Sequence, residues 1–286
     1  MSAPNPFAAE PAPTQRWLSI VGIGEDGIEG LARGARDRIE NAEIVFGGAR
    51  HLALAAPLIR GVAKPWPSPF SLAPGEVLAL RGRRLCVLAS GDPFLYGVGA
   101  TLIAHIPPEE TWVIPAPSAF SLAAARLGCP LPETTCVSLH GRALDRIRPH
   151  LHPGARILAL TSDADGPAAL ASLLSDTGFG QSRLTVLEGL GGERERRHTA
   201  ESRSFYLTDI AALNTVAVEV AAEPDARILA YAPGLDDDLF DHDGHISKRE
   251  IRAVTLSSLR PQHGELLWDV GAGSGSVGIE WLLADA

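Results

Sequence analysis

Residues 86–99, Cys86-Val87-Leu88-Ala89-Ser90-Gly91-Asp92-Pro93-Phe94-Leu95-Tyr96-Gly97-Val98-Gly99, constrain the fold of this chain more than any other stretch. An uncharged apolar run leads into Ser-Gly-Asp-Pro, and beyond Gly97 the positions Val98, Leu102, Ile103 and Ile106 recur at helical spacing. The pattern predicts a buried strand, a loop and a helix. In a parallel α/β sheet such a strand end brings a glycine, a carboxylate and a proline to the edge where small molecules bind.

The same alternation runs through the first half of the chain. Strands are predicted near 17–24, 43–46, 84–90 and 111–114, with helices over 29–41, 48–56, 98–106 and 119–127. Ser118 is placed to cap the last of these helices and Gly128 to stop it. That helix start offers free amide N–H groups to a carboxylate, or is a capped helix and nothing more. Gly22, Gly24 and Gly27 satisfy the spacing of a dinucleotide fingerprint, but the next strand carries its acid, Glu43, at the beginning and Gly47-Gly48 at the end. The acid that would hold a ribose is missing, which argues against NAD.

From 137 onward the pattern continues in a second layer. Strands are predicted at 137–142, 156–161, 183–188 and 215–220, with a helix over 167–174 and a glycine-rich charged turn over 189–197. The meander at its end predicts a mixed sheet, whereas the first layer reads as parallel. Glu193-Arg194-Glu195-Arg196-Arg197 reads as a solvated hairpin face.

Composition narrows the function. A net charge of −9 argues against nucleic acid or an anionic membrane as partner, and no apolar run is long enough to span a bilayer. Cys86, Cys129 and Cys136 are odd in number and contain no Cys-x-x-Cys pair, so they are expected to be reduced, in a cytoplasmic protein. Residues 1–16, rich in proline and alanine, read as a disordered leader. Of 25 basic residues only Lys64 and Lys248 are lysines, so a carboxylate-bearing ligand would meet guanidinium forks.

Residues 221–238 have the composition of a linker. Asp241, Asp243, Gly244, Ile246 and Glu250 mimic a calcium loop, yet its first ligand position holds Leu239, and we assign no metal. Ser247 with Glu250 is instead expected to form a capping box for a helix over 248–259. The final segment reads as a strand, a loop with Asp269, Gly271, Gly273 and Gly275, and a helix. Ser276 stands where a dinucleotide site has its third glycine, so the spacing suits S-adenosylmethionine or a generic nucleotide turn. With only this one strand, the segment 239–286 is expected to be an incomplete Rossmann-like domain without activity of its own.

Val21-Gly22-Ile23-Gly24, Ser90-Gly91-Asp92-Pro93-Phe94-Leu95-Tyr96-Gly97, Pro115-Ala116-Pro117-Ser118-Ala119-Phe120, Leu190-Gly191-Gly192, Pro233-Gly234-Leu235 and Ile246-Ser247-Lys248-Arg249-Glu250-Ile251-Arg252 occur in this order. In that combination the chain resembles the precorrin-6Y methyltransferase (decarboxylating) family of cobalamin biosynthesis, within the tetrapyrrole methylases. The resemblance implies a methylase domain of two α/β subdomains over 17–220, a cytoplasmic homodimer, S-adenosylmethionine as cofactor and a precorrin as substrate. It implies methylation of carbon 5 by this domain, and carbon-15 methylation with decarboxylation only in a full-length protein. Gly91, Asp92, Tyr96, Gly97, Ser118 and Ala119 match the family's cofactor contacts, and Asp269, Gly271, Gly273 and Gly275 match the cofactor motif of the second domain. Gly24 lies in a loop that faces substrate in the family, although Glu25 replaces the proline that many relatives carry there.

A sulfonium methyl is already electrophilic, so positioning is expected to supply most of the rate, and no catalytic base is legible. Asp92 orients the cofactor loop or caps its own Asp-Pro turn. Because a tetrapyrrole carries many carboxylates, Arg50, His51, Lys64, Arg142 and Arg194 are expected to line the substrate site. Alternatives from other classes are a same-fold methyltransferase acting on siroheme precursors, diphthamide or ribosomal RNA, and a non-catalytic carrier of cofactor or product.

Overall fold

The computed structural model describes residues 16–285; the expected leader lies almost wholly outside the described residues. Two compact units emerge. The first gathers the described residues through Leu131 with Leu187–Arg197 and Leu213–Thr215, and the second holds Pro132–Val186, His198–Ala212 and the described residues from Val216.

In the first unit, β1 (Leu18–Ile23), β2 (Ile44–Gly47), β3 (Val62–Pro65), β4 (Leu85–Ser90) and β5 (Thr111–Ile114) form a sheet of order β3-β2-β4-β1-β5 whose pairings are all parallel. Every residue of β1 is buried, as expected of a central parallel strand covered on both faces. Strand periodicity sorts the core into two layers. Leu18, Ile20, Phe46, Leu85 and Val87 join Leu102 and Ile106 on one face, while Val21, Ile23, Val45, Cys86 and Leu88 join Ala35 and Ile39 on the other. Burial drives the Cys86 thiol up to about 12, which makes it an inert core residue.

The helices of this unit are α1 (Arg33–Glu40), α2 (Ala49–Ala55), α3 (Ala73–Leu78), α4 (Val98–Ile103) and α5 (Ala119–Leu127). α5 occupies the residues expected of it, with the Ser118 hydroxyl accepting from the Ser121 N–H at 3.1 Å and Gly128 left-handed at its end. α1 begins four residues later than its apolar pattern, since Ala32 is still extended. β3 and α3 carry no sequence signal: β3 is short, exposed and contains Lys64 and Pro65, and α3 contains Pro74 and Gly75.

The second sheet, β6 (Thr135–Ser138), β7 (Arg156–Leu160), β8 (Arg183–Glu188), β9 (Arg196–Glu201) and β10 (Asn214–Glu219), is mixed and has the order β6-β7-β10-β8-β9. α6 (Gly166–Asp176) packs Leu170, Ala171 and Leu174 into a core with Ile157, Val186, Val216 and Val218. Thus the α/β class and the parallel and mixed sheets are as the residue pattern implies. Strand β6 starts two residues earlier than expected, and the charged run 193–197 is a turn passing into β9.

Within the expected linker 221–238, the Glu223 N–H donates to the Gly178 carbonyl at 2.8 Å, and the Arg227 N–H to that of Thr177 at 3.0 Å. Two expectations beyond it are corrected. α7 (Arg249–Leu259) starts with Lys248 as its flanking residue and no side-chain cap, so the Ser247 capping box does not form. Instead the Ser247 carbonyl accepts from Arg252. Among the described residues no strand forms between β10 and α8 (Ser276–Leu283), so the strand expected before the glycine loop is absent. Leu266, Trp268 and Val270 are 82%, 80% and 91% exposed, because among the described residues no strand pairs with their backbone.

Candidate functional site

The carboxyl ends of β1, β4 and β5 are knitted into one edge. The Gly91 N–H donates to the Ile23 carbonyl at 3.2 Å, and the Ala116 N–H donates to the Gly91 carbonyl at 3.1 Å. A Cβ on Gly22 would run into the Gly91 carbonyl and lie 2.6 Å from the Ala116 nitrogen. Gly91 has φ of +56°, and a Cβ there would sit 2.9 Å from the Pro117 carbonyl oxygen. Gly22 of the apparent nucleotide fingerprint therefore serves close backbone packing. Gly24 lies under the Asp26 carboxylate, 2.6 Å from where its Cβ would be.

The loop 90–97 coils over this edge. Asp92 Oδ1 accepts from the Phe94 N–H at 2.9 Å, and the Pro93 carbonyl accepts from the Gly99 N–H at 2.9 Å at the start of α4. Asp92 thus stabilises its own turn with one oxygen. Gly97 is required where it stands, since its Cβ would lie 2.5 Å from the Pro93 carbonyl oxygen. Tyr96 is left-handed with φ of +57°, half-exposed, and meets Phe120 edge-on at 6.2 Å between centroids. Ser118 and Ala119 open α5 in the same unit, where the first amide N–H groups have no intrahelical acceptor. The edge offers a carboxylate, backbone donors and an aromatic ring to a small zwitterionic ligand.

Beside it lies a polar cluster. Arg50, at the start of α2, donates to the Glu25 carboxylate, to His51 Nε2 at 2.8 Å and to Ser90 Oγ at 3.4 Å. Burial, and secondarily the Arg50 charge, push the His51 imidazole down to about 4, so it is neutral near pH 7. His51 therefore brings no cation to the site at that pH, contrary to the expectation of a basic lining. Burial also lowers the Arg50 pKa. Lys64 is paired with Glu76 at 2.9 Å and covers the Phe46 ring. Arg194 is exposed in the turn before β9, and Arg142 is exposed in the turn after β6, in the second unit.

Glu25, beside Gly24, and Glu195, within a charged run, carry no local signal of their partners. Glu195 receives a two-pronged bond from Arg126 of α5 at 2.5 and 3.0 Å and the Gly191 N–H at 2.8 Å. The Arg126 bonds hold the Glu195 carboxyl below its ordinary range. The rest of the run is exposed as expected: Glu193, Arg194, Arg196 and Arg197 face solvent, and only Glu195 is partly buried.

Asp269, Gly271 and Gly273 are exposed, and Gly275, left-handed, precedes α8. What organises this segment is fully buried Arg252. It donates to Glu280 Oε1 at 2.7 Å, to Asp237 Oδ1 at 2.6 Å and to the Leu235 and Ser247 carbonyls, while Glu280 also accepts from the Gly234 and Leu235 N–H groups. Arg252 ends the motif 246–252 that carries the family resemblance, but nothing in the sequence pairs it with Glu280. Among the described residues no group of three or more His, Cys, Asp or Glu side chains could hold a metal ion.

The chain is similar to known proteins over both of its halves. The family of tetrapyrrole (corrin/porphyrin) methylases matches residues 18–204, and a precorrin methyltransferase domain matches 238–286. A precorrin-6Y C(5,15)-methyltransferase (decarboxylating) from a Sinorhizobium species is 57% identical over 97% of this chain and 67% of its own length. A cobalt-precorrin-7 C(5)-methyltransferase of Salmonella typhimurium is 32% identical over 63% of this chain and 89% of its own. The chain spans about two thirds of the length of the C(5,15) relatives. The crystal structure of a precorrin-6Y methylase of cobalamin biosynthesis from Archaeoglobus fulgidus superposes with a TM-score of 0.54 at 26% identity, covering 72% of this chain and all of that one.

Proposed function

The chain belongs to the tetrapyrrole (corrin/porphyrin) methylase family, and from that premise we propose that it transfers a methyl group from S-adenosylmethionine to carbon 5 of a precorrin. The knitted edge of β1, β4 and β5 carries the reading. The donor set fits the cofactor: the α5 N-terminus suits its carboxylate, and Asp92, with one oxygen committed to its own turn, keeps the other for the ligand. We assign cofactor contact to Gly91, Asp92, Tyr96, Gly97, Ser118 and Ala119, and substrate approach to the Gly24 loop. When bound, the cofactor supplies an electrophilic methyl. The protein's part is to hold ligand and acceptor carbon in register and keep water out, which matches a site rich in fixed backbone donors and without a cationic general acid.

Domains are proposed at 17–220 for the methylase and 239–286 for the second methyltransferase domain, joined by 221–238. No carbon-15 activity is assigned to 239–285, whose glycine loop stands on no sheet among the described residues. We further propose a cytoplasmic homodimer with no nucleic-acid or membrane partner. The net charge of −9 argues against a nucleic-acid or anionic-membrane partner, and among the described residues no helix is long and apolar enough to cross a membrane; the homodimer and the compartment rest on the family resemblance. The test is mass spectrometry of precorrin-7 incubated with the protein and S-adenosylmethionine. A gain of one methyl located at carbon 5 is expected; folded protein that binds S-adenosylhomocysteine yet adds none would overturn the proposal.

A further inference from the structure

The turn Gly47-Gly48 leads β2 directly into α2 and sets Arg50 against the end of β4. Its guanidinium is caged rather than loose. One terminal nitrogen donates to Glu25, and the other to His51 Nε2 and Ser90 Oγ. An arginine can only donate, so His51 must accept through Nε2 and carry its proton on Nδ1. That assignment agrees with the neutral state imposed by burial. Glu25 is held as firmly on its side: its side chain is 18% exposed, and a Cβ on Gly192 would lie 2.7 Å from Glu25 Cβ. Arg50 itself keeps a 37% exposed side chain, and among the described residues its Nε–H and second Nη1–H have no acceptor.

We propose that Glu25, Arg50 and His51 form a reader for a peripheral carboxylate of the substrate, with Arg50 binding it, Glu25 as the counter-charge it displaces, and His51 as a positioning residue. This rests on the tetrapyrrole reading above and says how that site selects. The two open N–H groups lie on opposite edges of the guanidinium, so an entering carboxylate bonds to one of them and, being repelled by Glu25, binds firmly only by taking over the Glu25 pairing. An amide at the same place gains neutral bonds only and cannot displace a carboxylate. The triad therefore discriminates free acid side chains from amidated ones, at a point where the empty site leaves no unpaired cation.

Binding of two corrins by isothermal titration tests it: cobyrinic acid, whose peripheral carboxylates are free, and cobinamide, whose side chains are amidated. Wild-type protein should prefer the acid by about ten-fold or more, and Arg50→Ala should lower affinity for the acid by roughly 10–100-fold while leaving cobinamide unchanged. Glu25→Gln should tighten the acid by about 3–10-fold, because the competing carboxylate is gone, a sign that loss of a merely structural pair would not produce. His51→Phe should weaken the acid and His51→Gln, which can still accept from Arg50, should restore it. S-adenosylhomocysteine affinity should stay constant throughout. Equal binding of the acid by wild type and Arg50→Ala, weaker binding by Glu25→Gln, or loss of S-adenosylhomocysteine with Arg50 would each overturn the reader. Protein that binds S-adenosylhomocysteine but neither corrin in any form would bring down the tetrapyrrole reading with it.

Discussion

At Gly22 a methyl group is excluded by main chain on two sides, the Gly91 carbonyl and the Ala116 amide, and neither can move without parting the ends of β4 and β5. Residue identity here is dictated by backbone proximity, and the same holds at Gly91 and Gly97. His51 shows the other kind of constraint, a polar side chain whose charge state is set by burial. An unfolded histidine titrates near about 6.5, whereas in the fold His51 is pushed down to about 4. Between these values the unfolded chain binds the extra proton, so the contribution of His51 to stability is full above about pH 6.5 and is lost as pH falls toward 4. The loss is on the order of 3 kcal/mol. Urea unfolding from pH 7 to pH 4 should therefore show wild type falling more steeply than His51→Gln, and parallel curves would refute the assignment. Arg50 and His51 were legible as a polar pair after a glycine turn. Their charge state was not, because it depends on burial, and for His51 on the Arg50 charge beside it, which only the folded chain supplies.

At the scale of elements, α5 joins sequence to site most directly. Its cap, its stop and its position after β5 follow from Ser118, Gly128 and Pro115-Ala116-Pro117, each acting within a few residues. Ser118→Ala should cost about 1 kcal/mol in urea unfolding. It should also weaken S-adenosylhomocysteine by several-fold in calorimetry, whereas Asp269→Ala in the exposed C-terminal loop should change neither; equal effects of the two would refute the choice of site. β1, β4 and β5 were equally legible, since uninterrupted apolar runs ending in glycine or proline are a local signal. β3 and β9 were not. Val62–Pro65 is a short edge strand, and Arg196–Glu201 is almost wholly charged or polar, so both are strands only because a neighbour's backbone pairs with them. The reverse error at 265–270 has the same origin: Leu266, Trp268 and Val270 carry the strand pattern, and no described strand pairs with them.

Across the whole molecule, each unit has its own core, and the long C-terminal stretch of the second is held by ion pairing more than by apolar packing. Apart from Trp281, Leu256 and Leu235, few of its large apolar residues are buried, whereas Arg252 and Glu280 are both inside. Arg252 draws together 235–237, the start of α7 and α8, and its guanidinium also lies 4.6 Å from the centroid of the Phe240 ring. Replacing both charges with apolar groups can be nearly neutral, but removing one strands the other in a dry environment at a cost of about 3–5 kcal/mol. Arg252→Ala leaves Glu280 buried beside only the Gly234 and Leu235 N–H groups. The expected outcome is regional. Native-state hydrogen exchange should show lost protection over 233–285, while β1, β4 and β5 exchange as in wild type and S-adenosylhomocysteine still binds. If protection instead fell equally in both units, the stretch would be part of one cooperative core, and the assignment of the cofactor edge to a self-sufficient first unit would fail with it.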